Sequence, residues 1–133
     1  MNLDSSTALP ALVTLLLLVQ YLAFTMMVGA ARAKGGVDAP SCAGDVAFER
    51  AFRVQQNTLE QLMLVLPSLW ICAYYFRTDV AAICGSLFFI GRIIYRIAYV
   101  NDPSKRGVGM LIGFAATIVM LGCALWGVIS RFA

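Results

Sequence analysis

The chain has 133 residues, 61% of them hydrophobic and 13% charged, with a net charge of +3 and no histidine. A soluble domain of this length averages about 45 to 50% apolar residues and buries roughly two thirds of its unfolded surface. A mean hydropathy of +0.83 would therefore leave large apolar patches facing water, and lipid is the expected solvent. The missing histidine excludes Ser/His/Asp and Cys/His nucleophilic catalysis, His-ligated haem and most catalytic zinc sites, so no metal is expected. The small net charge gives no reason to expect nucleic acid.

Residues 8–31 contain no charged side chain and are long enough, as a helix, to cross the hydrocarbon core. They are expected to stay in the membrane, because the segment before them carries Asp4 and lacks the basic stretch of a signal peptide. Residues 33–47 hold Gly35, Gly36, Pro40 and Gly44 and read as a loop, after which Asp45 is placed to cap a helix. That second helix, over 48–76, is polar from Phe48 to Gln61 and apolar from Leu62, with Pro67 predicting a kink.

A short connection at Arg77 to Asp79 leads to a third span over 80–100. Pro103 and Ser104 are placed to open a fourth, over 106–130, in which Gly109 and Gly113 fit a close helix contact. Cys42, Cys72, Cys84 and Cys123 form no CxxC pair; the last three lie in apolar runs and read as packing residues. The expectation is a single all-α, four-span integral membrane bundle. Arg32, Lys34, Arg50, Arg53, Arg92, Arg96, Lys105 and Arg106 gather at one face, with Arg77 and Arg131 at the other. This asymmetry puts the first face in the cytoplasm and both termini on the opposite side.

Ionisable groups within membrane helices are costly unless paired or solvated, which makes their placement informative. Arg53, Asn57 and Glu60, at i, i+4 and i+7, line one face of the second helix, with Gln56 at its border. Arg92, Tyr95 and Tyr99, at i, i+3 and i+7, do the same on the third, and Arg106 follows in the connection. Both stripes sit at the cytoplasmic ends of their helices. They offer guanidinium groups for carboxylates, a carboxylate for an ammonium, an amide and two phenols, the complement of a small zwitterionic, multiply anionic ligand. Read more plainly, the same residues are interfacial charges, an aromatic belt and one intrahelical ion pair. Asn57 and Glu60 favour the ligand, since neither gains from an anionic lipid surface.

The run Phe48-Glu49-Arg50-Ala51-Phe52-Arg53-Val54-Gln55-Gln56-Asn57-Thr58-Leu59-Glu60 resembles the signature of the MAPEG superfamily, the membrane-associated proteins in eicosanoid and glutathione metabolism. A second match runs from Gly91-Arg92 through Tyr95 and Tyr99 to Pro103-Ser104-Lys105-Arg106. The resemblance implies a homotrimer of four-helix subunits with glutathione, as co-substrate, in a cytosol-facing cleft between neighbours. By motif position it implies glutathione contacts at Arg32, Arg53, Gln55, Asn57, Glu60, Tyr95 and Tyr99, and a catalytic, thiolate-stabilising role for Arg106.

The chain departs from parts of that pattern. Members of the leukotriene C4 synthase branch have paired arginines at the end of the first helix, whereas Ala33 follows Arg32, and Gln61 stands where they have a tyrosine. Gly107 follows Arg106 where the prostaglandin E synthase branch has a serine. The microsomal glutathione transferase branch is the nearest in kind. The resemblance thus implies a transferase that conjugates glutathione to hydrophobic electrophiles arriving through lipid, with lipid hydroperoxide peroxidase activity as a second expectation. Its rival is a non-catalytic lipid-binding or scaffold protein of the same fold.

Overall fold

The computed structural model describes residues 5–133, so Asp4 lies outside the described residues. Four helices account for most of the chain: α1 (Ala8–Gly35), α2 (Val46–Tyr75), α3 (Thr78–Asn101) and α4 (Gly107–Ile129). Single 3-10 turns precede α1 and α4, at Ser5–Thr7 and Pro103–Lys105. No strand occurs among the described residues. Pro103 and Ser104 therefore open a 3-10 turn, and α4 starts after Arg106.

The helix ends follow local chemistry. Gly36 terminates α1 in the left-handed region (φ +63°), where a side chain would be strained, and its N–H donates back to Ala33 O. Asp45 is the N-cap of α2, its Oδ2 accepting from Phe48 N at 2.9 Å. Helix α2 continues through Pro67.

Connections between α2 and α3 and between α3 and α4 are too short for anything but antiparallel neighbours. The main core, built on Leu17, Leu62, Val65, Leu69, Phe88 and Met120, draws on all four helices. Helices α3 and α4 approach most closely through glycine: a Cβ at Gly109 would lie 2.3 Å from Tyr95 N, and one at Gly91 3.1 Å from Gly109 O. Gly113 belongs to the same contact, facing Phe88.

Outward-facing positions are apolar: Leu15, Val19 and Leu22 on α1, and Leu111, Ile118 and Leu125 on α4, each expose more than half their surface. Segments Ala8–Gly35, Thr78–Asn101 and Pro103–Ile129 are long and apolar enough to cross a membrane. Helix α2 is not among them, because its first half carries Glu49, Arg50, Arg53, Gln55, Gln56, Asn57 and Glu60. It nonetheless packs against α1, α3 and α4 as a full member of the bundle. The architecture brings the first half of α2, the end of α3 and the start of α4 to one end, where the site forms.

Candidate active site

Arg50 locks that end together. Its Nη1 donates to Val100 O at 2.9 Å and Asn101 O at 3.0 Å, carbonyls left open at the end of α3. This bond fixes the register between the polar half of α2 and the stripe on α3.

On α2, Arg53 Nη1 lies 3.7 Å from Glu60 Oε1, and Asn57 Nδ2 donates to Glu60 Oε2 at 3.5 Å. The Arg53 and Glu60 side chains are 55% and 56% exposed. An ion pair this open contributes about 1 kcal/mol or less, so a ligand can exchange with it readily.

Arg92, on α3, is only 2% exposed and is no snorkelling interfacial charge. Its Nη1 donates to Asn57 Oδ1 at 3.1 Å and its Nη2 to Thr58 Oγ1 at 2.8 Å. The guanidinium also stacks 4.0 Å above the Tyr95 ring. Tyr95 is buried against Phe24 and Val54, so it belongs to the inner packing and not to an aromatic belt. Tyr99 packs beside it with ring centroids 5.4 Å apart, and Arg106 sits 6.0 Å from the Tyr99 ring.

Arg106 is exposed at the head of α4, immediately after the turn that Asp102 organises. Asp102 Oδ1 accepts from Ser104 Oγ at 2.7 Å and from Ser104 N at 3.0 Å. The Ser104 hydroxyl and then its amide hold the Asp102 carboxyl below the usual carboxylate range. Lys105, 3.7 Å from Asp102, is thereby turned back onto the loop.

Arg53, Asn57 and Glu60 thus meet Arg92 and Tyr95 along the α2–α3 seam, and Tyr99 connects them to Arg106. The remaining two residues implied as glutathione contacts fall elsewhere, as does Gln56, whose Nε2 donates to Gln55 Oε1 at 3.1 Å. Arg32 donates to Ser41 O at 2.8 Å and Val37 O at 3.3 Å, over the Phe48 ring, and so braces the loop between α1 and α2. Gln55 faces α1, its Nε2 donating to Tyr21 Oη at 2.7 Å. A two-residue step on a helix turns by about 200°, so Gln55 and Asn57 face nearly opposite sides of α2. The sequence reading missed Thr58, fully buried and shared between Arg92 and the α2 backbone at Val54 O. Its only signal was a threonine adjoining the polar stripe.

Comparison with known proteins gives this geometry a context. A profile of the MAPEG family matches residues 10–126. An uncharacterized protein of Synechocystis is 42% identical over 120 residues, covering 90% of this chain and 88% of that one. Microsomal glutathione S-transferase 2 of Mus musculus is 36% identical over 129 residues, covering 97% and 86%. Leukotriene C4 synthase of Cavia porcellus is 31% identical over 130 residues, covering 98% and 87%. With the family profile covering residues 10–126 and relatives 31% to 42% identical over most of its length, the chain belongs to the MAPEG family.

Proposed function

We propose that this protein is an integral membrane glutathione transferase, each subunit crossing the bilayer four times and three subunits forming the working molecule. Its site binds glutathione at the cytoplasmic face and conjugates the thiolate to hydrophobic electrophiles; the same thiolate, with a second glutathione that completes the disulfide, reduces lipid hydroperoxides to alcohols and water. The observation that carries this reading is the seam of Arg53, Asn57, Glu60, Arg92 and Tyr95, running toward Tyr99 and Arg106.

The groups match glutathione in kind. Arg53 suits a carboxylate, Glu60 an ammonium, and Asn57 and the phenols the peptide groups between them. Free thiols titrate near ~8.5, so most of the glutathione thiol is protonated at neutral pH, while the thiolate is the nucleophile. Arg106 presents a guanidinium, a cationic group, at the head of α4, and the positive end of the α4 dipole adds to its field. Together they favour the thiolate electrostatically, the thiol proton passing to solvent water, with no general base and no covalent enzyme intermediate. The thiolate attacks the electrophilic carbon, and the leaving group departs with its electron pair.

Opposed placement supports an oligomer. The Arg53–Glu60 pair is open on one side of a subunit, while Gln55 and the Arg32-braced loop lie on another. A cleft lined by both sets joins two neighbouring subunits, and Arg32 and Gln55 serve the glutathione of the adjacent site. The test is turnover: detergent-purified protein should conjugate glutathione to a chlorinated nitroaromatic well above the uncatalysed rate. Glutathione binding without turnover of either an electrophile or a lipid hydroperoxide would instead support the non-catalytic, lipid-binding reading.

A further inference from the structure

Arg92 is the least expected charge in the bundle. It is 2% exposed, and no carboxylate pairs with it among the described residues. A buried cation without a counter-ion costs several kcal/mol, and a bundle built only for stability would place a hydrocarbon side chain there. What Arg92 does instead is touch the proposed site from behind. One nitrogen of its fork donates to Asn57 Oδ1, the other to Thr58 Oγ1, and its face lies on Tyr95.

The bond to Asn57 has a chemical consequence. A guanidinium can only donate, so the atom it meets on Asn57 must be the carbonyl oxygen, and the amide nitrogen must turn the other way. That nitrogen points to Glu60 Oε2, and Glu60 in turn reaches Arg53. The orientation of Asn57 is thereby set from the buried side, and the group it leaves available beside Glu60 is a donor.

We propose that Arg92 is a positioning residue for glutathione, an inference that rests on the glutathione reading above. It holds the Asn57 amide so that Nδ2 donates toward the site, to a carbonyl or carboxylate oxygen of the ligand, while keeping the Glu60 carboxylate aimed at the ligand ammonium. Arg92 does not touch the ligand itself. Thr58 anchors the second arm of the fork and keeps the guanidinium plane over Tyr95. Because the thiolate end of the site depends on Arg106, the loss of Arg92 weakens binding and leaves the chemical step intact.

The test is a set of variants in the detergent-purified full-length protein, each measured for glutathione Kd and for kcat at saturating glutathione. Arg92→Lys keeps the charge but cannot fork to both partners, and should raise Kd about tenfold or more with kcat within about twofold of wild type. Asn57→Ala should weaken binding by itself, and adding Arg92→Lys to it should cause little further loss, because Arg92 acts through Asn57. Thr58→Val should raise Kd several-fold, and Thr58→Ser, which restores the hydroxyl, should recover it. This second pair carries the test if Arg92→Lys fails to assemble. Wild-type Kd in Arg92→Lys and Thr58→Val, additive losses in the double variant, or a fall in kcat with Kd unchanged would overturn the assignment while leaving the glutathione reading standing. Failure of the wild type to bind glutathione would overturn that reading and this inference with it.

Discussion

Arg106 is the residue on which the proposed chemistry turns, and its position explains why it can be lost without unfolding the bundle. It is exposed at the head of α4, with the Tyr99 ring as its neighbour at 6.0 Å. Arg106→Ala should keep glutathione binding within a few-fold and lower kcat by about a hundredfold, as loss of a single preorganised electrostatic contact does elsewhere. Steady-state kinetics checks this, and weakened binding with unchanged kcat would mean that Arg106 serves recognition instead. Asp102 gives a second, pH-dependent expectation. Ser104 depresses its carboxyl, so the stabilisation is complete above the unfolded value of about 3.9 and disappears as pH falls through the lower folded value. Acid unfolding followed by circular dichroism should show this loss in the wild type and a smaller one in Asp102→Asn. At this scale the sequence announced Asn57 and Glu60 through helical spacing, but not Thr58. A threonine in a helix ordinarily bonds its own backbone, and only the packing of α3 reveals that Thr58 also receives Arg92.

Among the elements, α2 is the one whose composition conflicts with its place. Its apolar second half supports the core at Val65, Leu69 and Cys72, whereas its first half is too polar to read as a membrane span and carries the candidate residues Arg53, Asn57 and Glu60. Spacing alone showed the stripe on α2 and its counterpart on α3. It could not show that Arg50 ties them in register through Val100 O and Asn101 O, because that contact joins residues about fifty positions apart. A close helix contact was legible through Gly109 and Gly113, but not that α3 is the partner, and the tightest approach, Gly109 against the Tyr95 backbone, also involves Gly91 of α3. Gly109→Ala should destabilise the bundle by about 1 to 3 kcal/mol through overpacking and disturb Tyr95 with it. Thermal unfolding in detergent, together with glutathione affinity, reads both effects; an unchanged Tm would show that α4 can slide to admit the methyl. Asp45→Ala, which removes only the α2 cap, should cost about 1 kcal/mol and leave affinity unchanged.

For the molecule as a whole, polar groups at one end and apolar surface along the sides describe a membrane protein, and the proposed chemistry belongs to its polar end. The four helices and their approximate bounds were readable from hydropathy, turn residues and capping. The splitting of the candidate residues between two sides of α2 was not, since only the contacts of Gln55 with α1 and of Asn57 with α3 separate them. That split makes assembly testable. Chains carrying Gln55→Ala and chains carrying Asn57→Ala should each be impaired, whereas mixed assemblies should regain activity in about a quarter of their clefts, those where the intact faces meet. Co-purified mixed assemblies with no gain over the parents would argue against a shared cleft. The central claim, that this end of the molecule binds glutathione as a thiolate held by Arg106, is tested most directly by ultraviolet titration of the bound thiol. The account predicts a pKa well below the free value near ~8.5 in the wild type and a return toward that value in Arg106→Ala. A bound thiol that titrates like free glutathione in the wild type would contradict it.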